Sequence, residues 1–306
     1  MPCNSFFPSP NGAAVVRISA NDVSTETRRY DAFDGLSVAA DVGGDPSHPA
    51  VILLHGGGQT RHSWAGAMRE LLAQGYHVIN LDARGHGNSD WAKDGDYGLK
   101  ALAADLRAVI GTLSSKPALV GASMGGATAL YLAGNDRESL VTAIVMVDVV
   151  PRLSPEGVAK ITHFMRARPE GFASLEEAAA AVAAYNPHRP RPKDVTGLMK
   201  NLRRRADGRL HWHWDPAFAR NPQSPEPPQF TDLLLRAAAH VRIPTLLVRG
   251  MESDIVAPEA VSELRLHLPA LEVFDVAGAG HMVAGDKNDA FNCGVIDFLK
   301  SYLPVT

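Results

Sequence analysis

Cysteine is nearly absent from this chain: Cys3 and Cys293 are the only two among 306 residues. A single pair so far apart is no disulfide framework, cannot by itself build a structural zinc site, and suits a reducing cytoplasm. Excess charge is also missing. The net charge of −3 provides no global field to attract nucleic acid or an anionic membrane. No stretch approaches the roughly 20 consecutive apolar residues a membrane helix needs. The start, Met1 to Pro8, has neither a basic segment nor an apolar core, so no secretory signal is expected. The glycines form neither a P-loop nor a G-x-G-x-x-G arrangement, so no nucleotide cofactor is implied. What is present is the balance of an ordinary globular protein, 45% hydrophobic and 21% charged.

Residues 1–28 are rich in Pro, Ser, Asn and Gly and are expected to form a loose extension. From Arg29 to Asp41 the pattern suits a hairpin turning at Asp34-Gly35. Ala50 to Leu54 is continuously apolar, as in a strand covered on both faces of a parallel sheet. Strand and helix then alternate. Strands are expected at 76–82, 118–121 and 141–147, and helices at 63–74, 99–113 and 124–132. That rhythm defines βαβ units and an open α/β sheet. It breaks over 151–242 and resumes at 245–248, with a helix at 258–267, a strand at 271–276 and a final helix at 289–302. The expected organisation is one core, 29–150 plus 243–306, with a largely helical insertion at 151–242. Ser154-Pro155 and Ser174-Leu175-Glu176-Glu177 mark two helix starts in that insertion, and Thr231 to His240 suits a further helix.

Four motifs carry chemistry. Gly121-Ala122-Ser123-Met124-Gly125 lies between a strand and a helix. A tight turn there would lift the Ser123 hydroxyl clear of the sheet, provided its neighbours are very small. His55-Gly56-Gly57-Gly58 follows an earlier strand. Backbone N–H groups of Gly57 and Met124 could together stabilise an oxyanion. Gly278-Ala279-Gly280-His281 puts a histidine, a base near neutral pH, on a loop after the penultimate expected element. An acid must orient that histidine. Asp254, just past the 245–248 strand, is the first choice; Asp148, at the tip of the 141–147 strand, and Glu252 are alternatives.

Taken together, HGGG, Asp82-Ala83-Arg84-Gly85-His86-Gly87, GASMGG, a late Asp and GAGH resemble the α/β-hydrolase superfamily over 29–150 and 243–303. The resemblance implies a mostly parallel sheet flanked by helices, a cap in place of the insertion, and a serine hydrolase without cofactor. Its triad would be Ser123, His281 and Asp254. Gly121 to Leu130 and HGGG resemble carbon–carbon bond hydrolases, but Gln59-Thr60 stands where those usually carry Pro-Gly. The Arg84 to Gly87 turn is similar to that of esterases and cofactor-free haloperoxidase or perhydrolase relatives. Gln59-Thr60 is also similar to epoxide hydrolases, which use an aspartate nucleophile where this chain has Ser123. The expected activity is cleavage of a small-molecule ester, lactone or related acyl bond, with C–C hydrolysis and perhydrolysis as alternatives. A non-catalytic ligand receptor is the reading from another class. A homo-oligomer is left open.

In the insertion, Trp212 and Trp214 fall on one face of an extended His211 to Trp214 segment and are candidates to line an apolar pocket, or else pin the cap to the core. His211 and His213 lack partner ligands for a metal. Arg203, Arg204 and Arg205 suit a solvated helix face or the attraction of an anionic substrate.

Overall fold

The computed structural model describes residues 24–185, 187, 194–220, 227–281 and 288–305. The expected extension lies outside these up to residue 23, as does Cys3. Its last part, by contrast, is already in the first strand. Strands β1 (Thr25–Asp31) and β2 (Ser37–Gly43) pair antiparallel around a short 3-10 turn at Phe33–Gly35. Asp34 (φ 60°) and Gly35 (φ 71°) take the left-handed conformation that reverses the chain.

The sheet continues through β3 (Ala50–Leu54), β4 (His77–Leu81), β5 (Ala118–Ala122), β6 (Ala143–Val147), β9 (Thr245–Gly250) and β10 (Leu271–Val276). The order is β1-β2-β4-β3-β5-β6-β9-β10, and every pair from β4 to β10 is parallel. Side chains alternate between two covered faces. Ile52, Leu119, Ile144 and Leu247 pack with helices α2 (Leu99–Ile110), α3 (Met124–Asn135) and α7 (Pro258–His267). Leu53, Val120, Val145 and Leu246 pack with α1 (Ala65–Ala73) and α8 (Asn288–Tyr302). Burial on both faces is why the strands have apolar runs rather than alternating patterns.

From β3 the chain moves outward to β4, then returns to the other side of β3 as β5. A crevice opens at the C-terminal ends of strands where the order reverses in this way. HGGG follows β3 and Ser123 follows β5, so both motifs meet at that crevice.

The insertion holds α4 (Pro155–Arg166), α5 (Leu175–Tyr185), a two-stranded antiparallel hairpin of β7 (Leu202–Arg204) and β8 (Leu210–Trp212), and α6 (Pro227–His240). The helix starts follow their capping residues. Ser154 Oγ accepts from the Gly157 N–H at 3.3 Å, and Ser174 Oγ from Glu177 N–H at 3.1 Å. The Glu177 carboxylate reaches back to the Ala173 N–H at 2.7 Å. Phe172, Ala178, Leu202, Leu210, Trp212 and Trp214 form a separate small core in this cap.

Two features differ from the sequence reading. The helix α6, counted within 151–242, packs in the main core: Leu234 and Ala238 are fully buried there. A side chain at Gly134 of α3 would strike Ala237 O at 2.2 Å, so a glycine is what lets α3 and α6 approach. The arginine cluster lies on strand β7 and its turn, not on a helix, because Leu202 and Leu210 alternate with polar neighbours at strand period. Arg203 donates to Gly87 O at 3.0 Å, Arg204 to Gly208 O at 2.7 Å, and Arg205 lies 5.7 Å from the Trp91 ring centre.

Candidate active site

Ser123 joins β5 to α3 with φ 47° and ψ −113°, a conformation an L-residue adopts only under constraint. The constraint is the packing around it. A Cβ on Gly121 would lie 2.4 Å from Gly125 C, and one on Gly125 would lie 2.4 Å from Leu54 O. Strand β3 and the first turn of α3 therefore press together through glycines. The Ser123 N–H donates to Val147 O at 3.0 Å, which anchors the turn to β6. The N–H groups that open α3, Met124 among them, lack intrahelical partners.

The HGGG loop is organised so that its three glycine N–H groups differ. Gly56 donates to Gln59 Oε1 at 3.0 Å and Gly58 donates to His86 Nε2 at 3.1 Å. Among the described residues, the Gly57 N–H has no partner. Gly56 also adjoins the Ser123 turn, since a Cβ there would lie 3.4 Å from Ser123 Cβ.

Three buried histidines hold this loop, the Arg84 to Gly87 turn and the cap together. His55 accepts the Ala83 N–H at Nε2 (3.0 Å) and faces Gly56 O through Nδ1 (2.8 Å). His86, fully buried, accepts from Gly58 and faces Arg84 O at 3.0 Å. His213 accepts the Gly87 N–H at Nδ1 (2.8 Å), so its Nε2 carries the proton toward Gly58 O, 3.4 Å away. Accepting a backbone N–H fixes each ring as a neutral tautomer. Burial opposes protonation in all three. It pushes His86 down to about 3 and His213 to about 2, and the neighbouring rings add to both shifts. His55 is lowered by burial despite the opposing charge of Asp82. His213 is thus a docking residue, while His211 bonds to Asp207 at 2.8 Å. Among the described residues no cluster of His, Cys, Asp or Glu could hold a metal ion.

His281 lies on the loop after β10, and its Nδ1 faces Asp148 Oδ2 at 2.7 Å. This corrects the first choice of acid. Asp148 ends β6 with φ 47°, is 1% exposed, and accepts the Gly250 N–H at 3.1 Å and the Ser253 hydroxyl at 2.5 Å. Asp254 instead points outward and pairs with Lys160 of α4 at 2.8 Å, both about half exposed. Burial would raise the Asp254 carboxyl, but the Lys160 bond and charge outweigh it and hold it below its usual range. The Ser253 hydroxyl accepts from the N–H groups of Ile255 and Val256 at 3.2 and 3.3 Å, which turns the chain so that Ser253, not Asp254, faces inward. The Glu252 side chain is exposed, while its N–H holds the histidine loop through Ala279 O at 2.9 Å. Ser253 carried no signal in the sequence beyond standing next to Asp254.

The cap lies directly on the HGGG loop. A Cβ on Gly58 would come 3.2 Å from Met165 Cε and 3.5 Å from the Trp214 ring; one on Gly57 would come 3.3 Å from Phe218 Cζ. Trp214 stacks on Trp212 at 5.0 Å and 10° between planes, and Trp212 meets Phe164 and Phe172 behind it. Both tryptophans belong to the cap core, and Trp214 is the one that reaches the HGGG loop at Gly58. Met165 and Phe218 were not singled out by sequence, because isolated apolar residues in a cap have no distinguishing pattern.

A strained serine and an unpartnered N–H in a glycine loop stand at the switch point of a parallel sheet, and a histidine paired with a buried carboxylate stands on loops after strands on the β6 side, the arrangement expected of the α/β-hydrolase class. Residues 49–287 match the family described as alpha/beta hydrolase fold, and the chain belongs to it. It is 31% identical over 256 residues to the esterase Rv0045c of Mycobacterium tuberculosis, covering 79% of each chain. It is 30% identical to the mouse sn-1-specific diacylglycerol lipase ABHD11, covering 84% of this chain and 82% of that one. Among solved structures, E-2-(acetamidomethylene)succinate hydrolase shares the fold with a TM-score of 0.79 at 24% identity, over 90% of this chain and all of the other. The family and these relatives make this chain a hydrolase. Among the described residues no helix is long and apolar enough to cross a membrane.

Proposed function

We propose that the protein is a serine hydrolase that cleaves a small-molecule ester, lactone or related acyl bond through an acyl-enzyme on Ser123. The observation that carries this reading is the His281–Asp148 pair at 2.7 Å beside a nucleophile turn held at φ 47°. Asp148 keeps the Nδ1 proton on the imidazole, which leaves Nε2 as the base. Ser123 Oγ attacks the carbonyl carbon and its proton passes to Nε2. The oxygen takes up the negative charge and is held by the N–H groups of Gly57 and Met124. The C–O bond then breaks, and the departing oxygen takes the proton from Nε2. Water, deprotonated by the same nitrogen, adds to the acyl carbon and releases Ser123 with the acid.

Intact mass after incubation with a fluorophosphonate tests the reading. Such a reagent phosphonylates only a serine that has a base and an oxyanion site. One adduct on the wild type and none on Ser123→Ala is the expected result. A folded wild type that takes up no adduct overturns the proposal and favours a ligand receptor on this fold.

A further inference from the structure

The roof that the cap places over Gly57 limits which acyl groups can react. We infer that Phe218 is a specificity-determining residue that selects substrates whose acyl group is unbranched at the carbon next to the carbonyl. We further infer that Tyr97, through Asp215, is the positioning residue that holds Phe218 in place. This rests on the proposed acyl transfer at Ser123.

The sheet order assigns the two halves of the substrate to opposite sides. Ser123 follows β5. On one side of it lies β3 with the HGGG loop; on the other lie β6, β9 and β10, whose loops carry Asp148, Ser253 and His281. The leaving oxygen takes its proton from His281, so the leaving group lies on the β6 side. The acyl group then extends toward β3, beneath the cap residues that touch Gly57 and Gly58. An oxygen hydrogen-bonded to the Gly57 N–H sits about 3 Å from that nitrogen, which brings the carbon next to the carbonyl near the space over Gly57. Phe218 occupies that space: its ring edge would lie 3.3 Å from a Cβ on Gly57. A slender chain can pass the ring, whereas a second or third methyl on that carbon meets it.

The ring is held rather than loosely placed. It meets the His86 ring edge-on at 4.5 Å and 78°, and the Tyr97 ring at 5.8 Å. Phe218 N–H donates to Asp215 O at 2.9 Å, and Ala217 N–H donates to Asp215 Oδ1 at 2.8 Å. The Tyr97 hydroxyl, on the core side, donates to Asp215 Oδ2 at 2.5 Å and accepts the Ala92 N–H at 2.9 Å. Asp215 N–H is tied to Gly85 O at 2.9 Å. This buried bond from core to cap fixes the short turn that carries Phe218. The Arg166 guanidinium secures the far end of the turn through Ala219 O at 2.9 Å.

The test compares p-nitrophenyl acetate with p-nitrophenyl pivalate on the full chain. The readout is the ratio of their kcat/KM values in each variant relative to the same ratio in the wild type, so intrinsic ester reactivity cancels. Phe218→Ala is expected to lower the acetate preference about tenfold, the scale on which apolar pockets discriminate added carbon. Phe218→Leu, which keeps an apolar side chain, should fall between. Tyr97→Phe should shift the ratio in the same direction by a smaller factor. A purely structural role for Tyr97 would reduce both esters equally and leave the ratio unmoved, which would overturn the positioning claim. An unchanged ratio in both Phe218 variants, with the wild type still labelled at Ser123 by fluorophosphonate, would overturn the selectivity claim while the acyl-transfer reading stands. A folded wild type that neither labels nor hydrolyses acetate would overturn both.

Discussion

Acid should loosen this fold through histidines rather than through its carboxylates alone, and His213 is the residue with which to show it. Folded His86 and His213 titrate at about 3 and about 2, because burial, mutual proximity and accepted N–H bonds keep them neutral. Unfolded, each would titrate at about 6.5. Between these limits the unfolded chain binds more protons than the folded one. Stability is therefore full above about pH 6.5 and is lost as pH falls. Going from pH 7.5 to 5, each such histidine removes about 2 kcal/mol, and the pair about 4. That is a large part of the roughly 5–15 kcal/mol typical of a folded domain. His55, lowered in the same direction, adds to the loss.

The perturbation is His213→Asn, in which an amide oxygen can take the place of Nδ1 as acceptor for Gly87 without any basic nitrogen. The variant loses ring contacts with Trp214 and His86 and should be less stable at every pH. The informative quantity is the slope. Urea unfolding followed by circular dichroism at pH 7.5, 6 and 5 should show the wild type losing about 2 kcal/mol more than the variant over that range. Equal losses would mean that His213 is protonated in the folded state or contacts solvent, and the reasoning about its burial would fail.

Asp148→Asn should lower kcat by about 10³–10⁴, since it removes the group that fixes the histidine tautomer, whereas Asp254→Asn, on a half-exposed pair, should change it less than about fivefold; steady-state ester hydrolysis separates the two. Gly125→Ala places a methyl 2.4 Å from Leu54 O and should destabilise the chain by about 1–3 kcal/mol, read as a lowered thermal midpoint. Arg84→Met would strand buried Asp105, which Arg84 grips at 2.5 and 2.6 Å, and should cost about 3–5 kcal/mol in urea unfolding.

The parallel core was legible because its strands are buried on both faces and therefore appear as unbroken apolar runs, Ala50 to Leu54 and Ala143 to Val147 among them. Ser123 was legible for a steric reason. Only glycines fit at 121, 125 and 126, and the sequence prints that requirement directly. The placement of α6 was less so, because its apolar stripe has the same period whether it faces a cap or a core. What decides is Gly134 on a distant helix. The hairpin at 202–212 was masked by its arginines, whose stems and charged heads suit a helix surface as well as a strand edge.

The acid shows the limit most clearly. Asp148 directly follows β6 and Asp254 lies on the loop after β9, which ends at Gly250, and β6 and β9 are neighbours in the sheet. Either one brings a carboxylate to the same side of Ser123, so position along the chain does not discriminate between them. The choice is made by two local turns. At the end of β6, φ 47° aims the Asp148 side chain inward, where Gly250 N–H and the Ser253 hydroxyl meet it. After β9, the Ser253 hydroxyl takes the inward position, and Asp254 is turned to the cap, where Lys160 is waiting. Asp148 accepts from the Gly250 N–H and the Ser253 hydroxyl and meets His281 Nδ1, whereas the side chain of Asp254 accepts from Lys160. The residue next to Asp254, rather than Asp254 itself, meets the His281–Asp148 pair: Ser253 donates to Asp148, and Asp254 joins core to cap through Lys160.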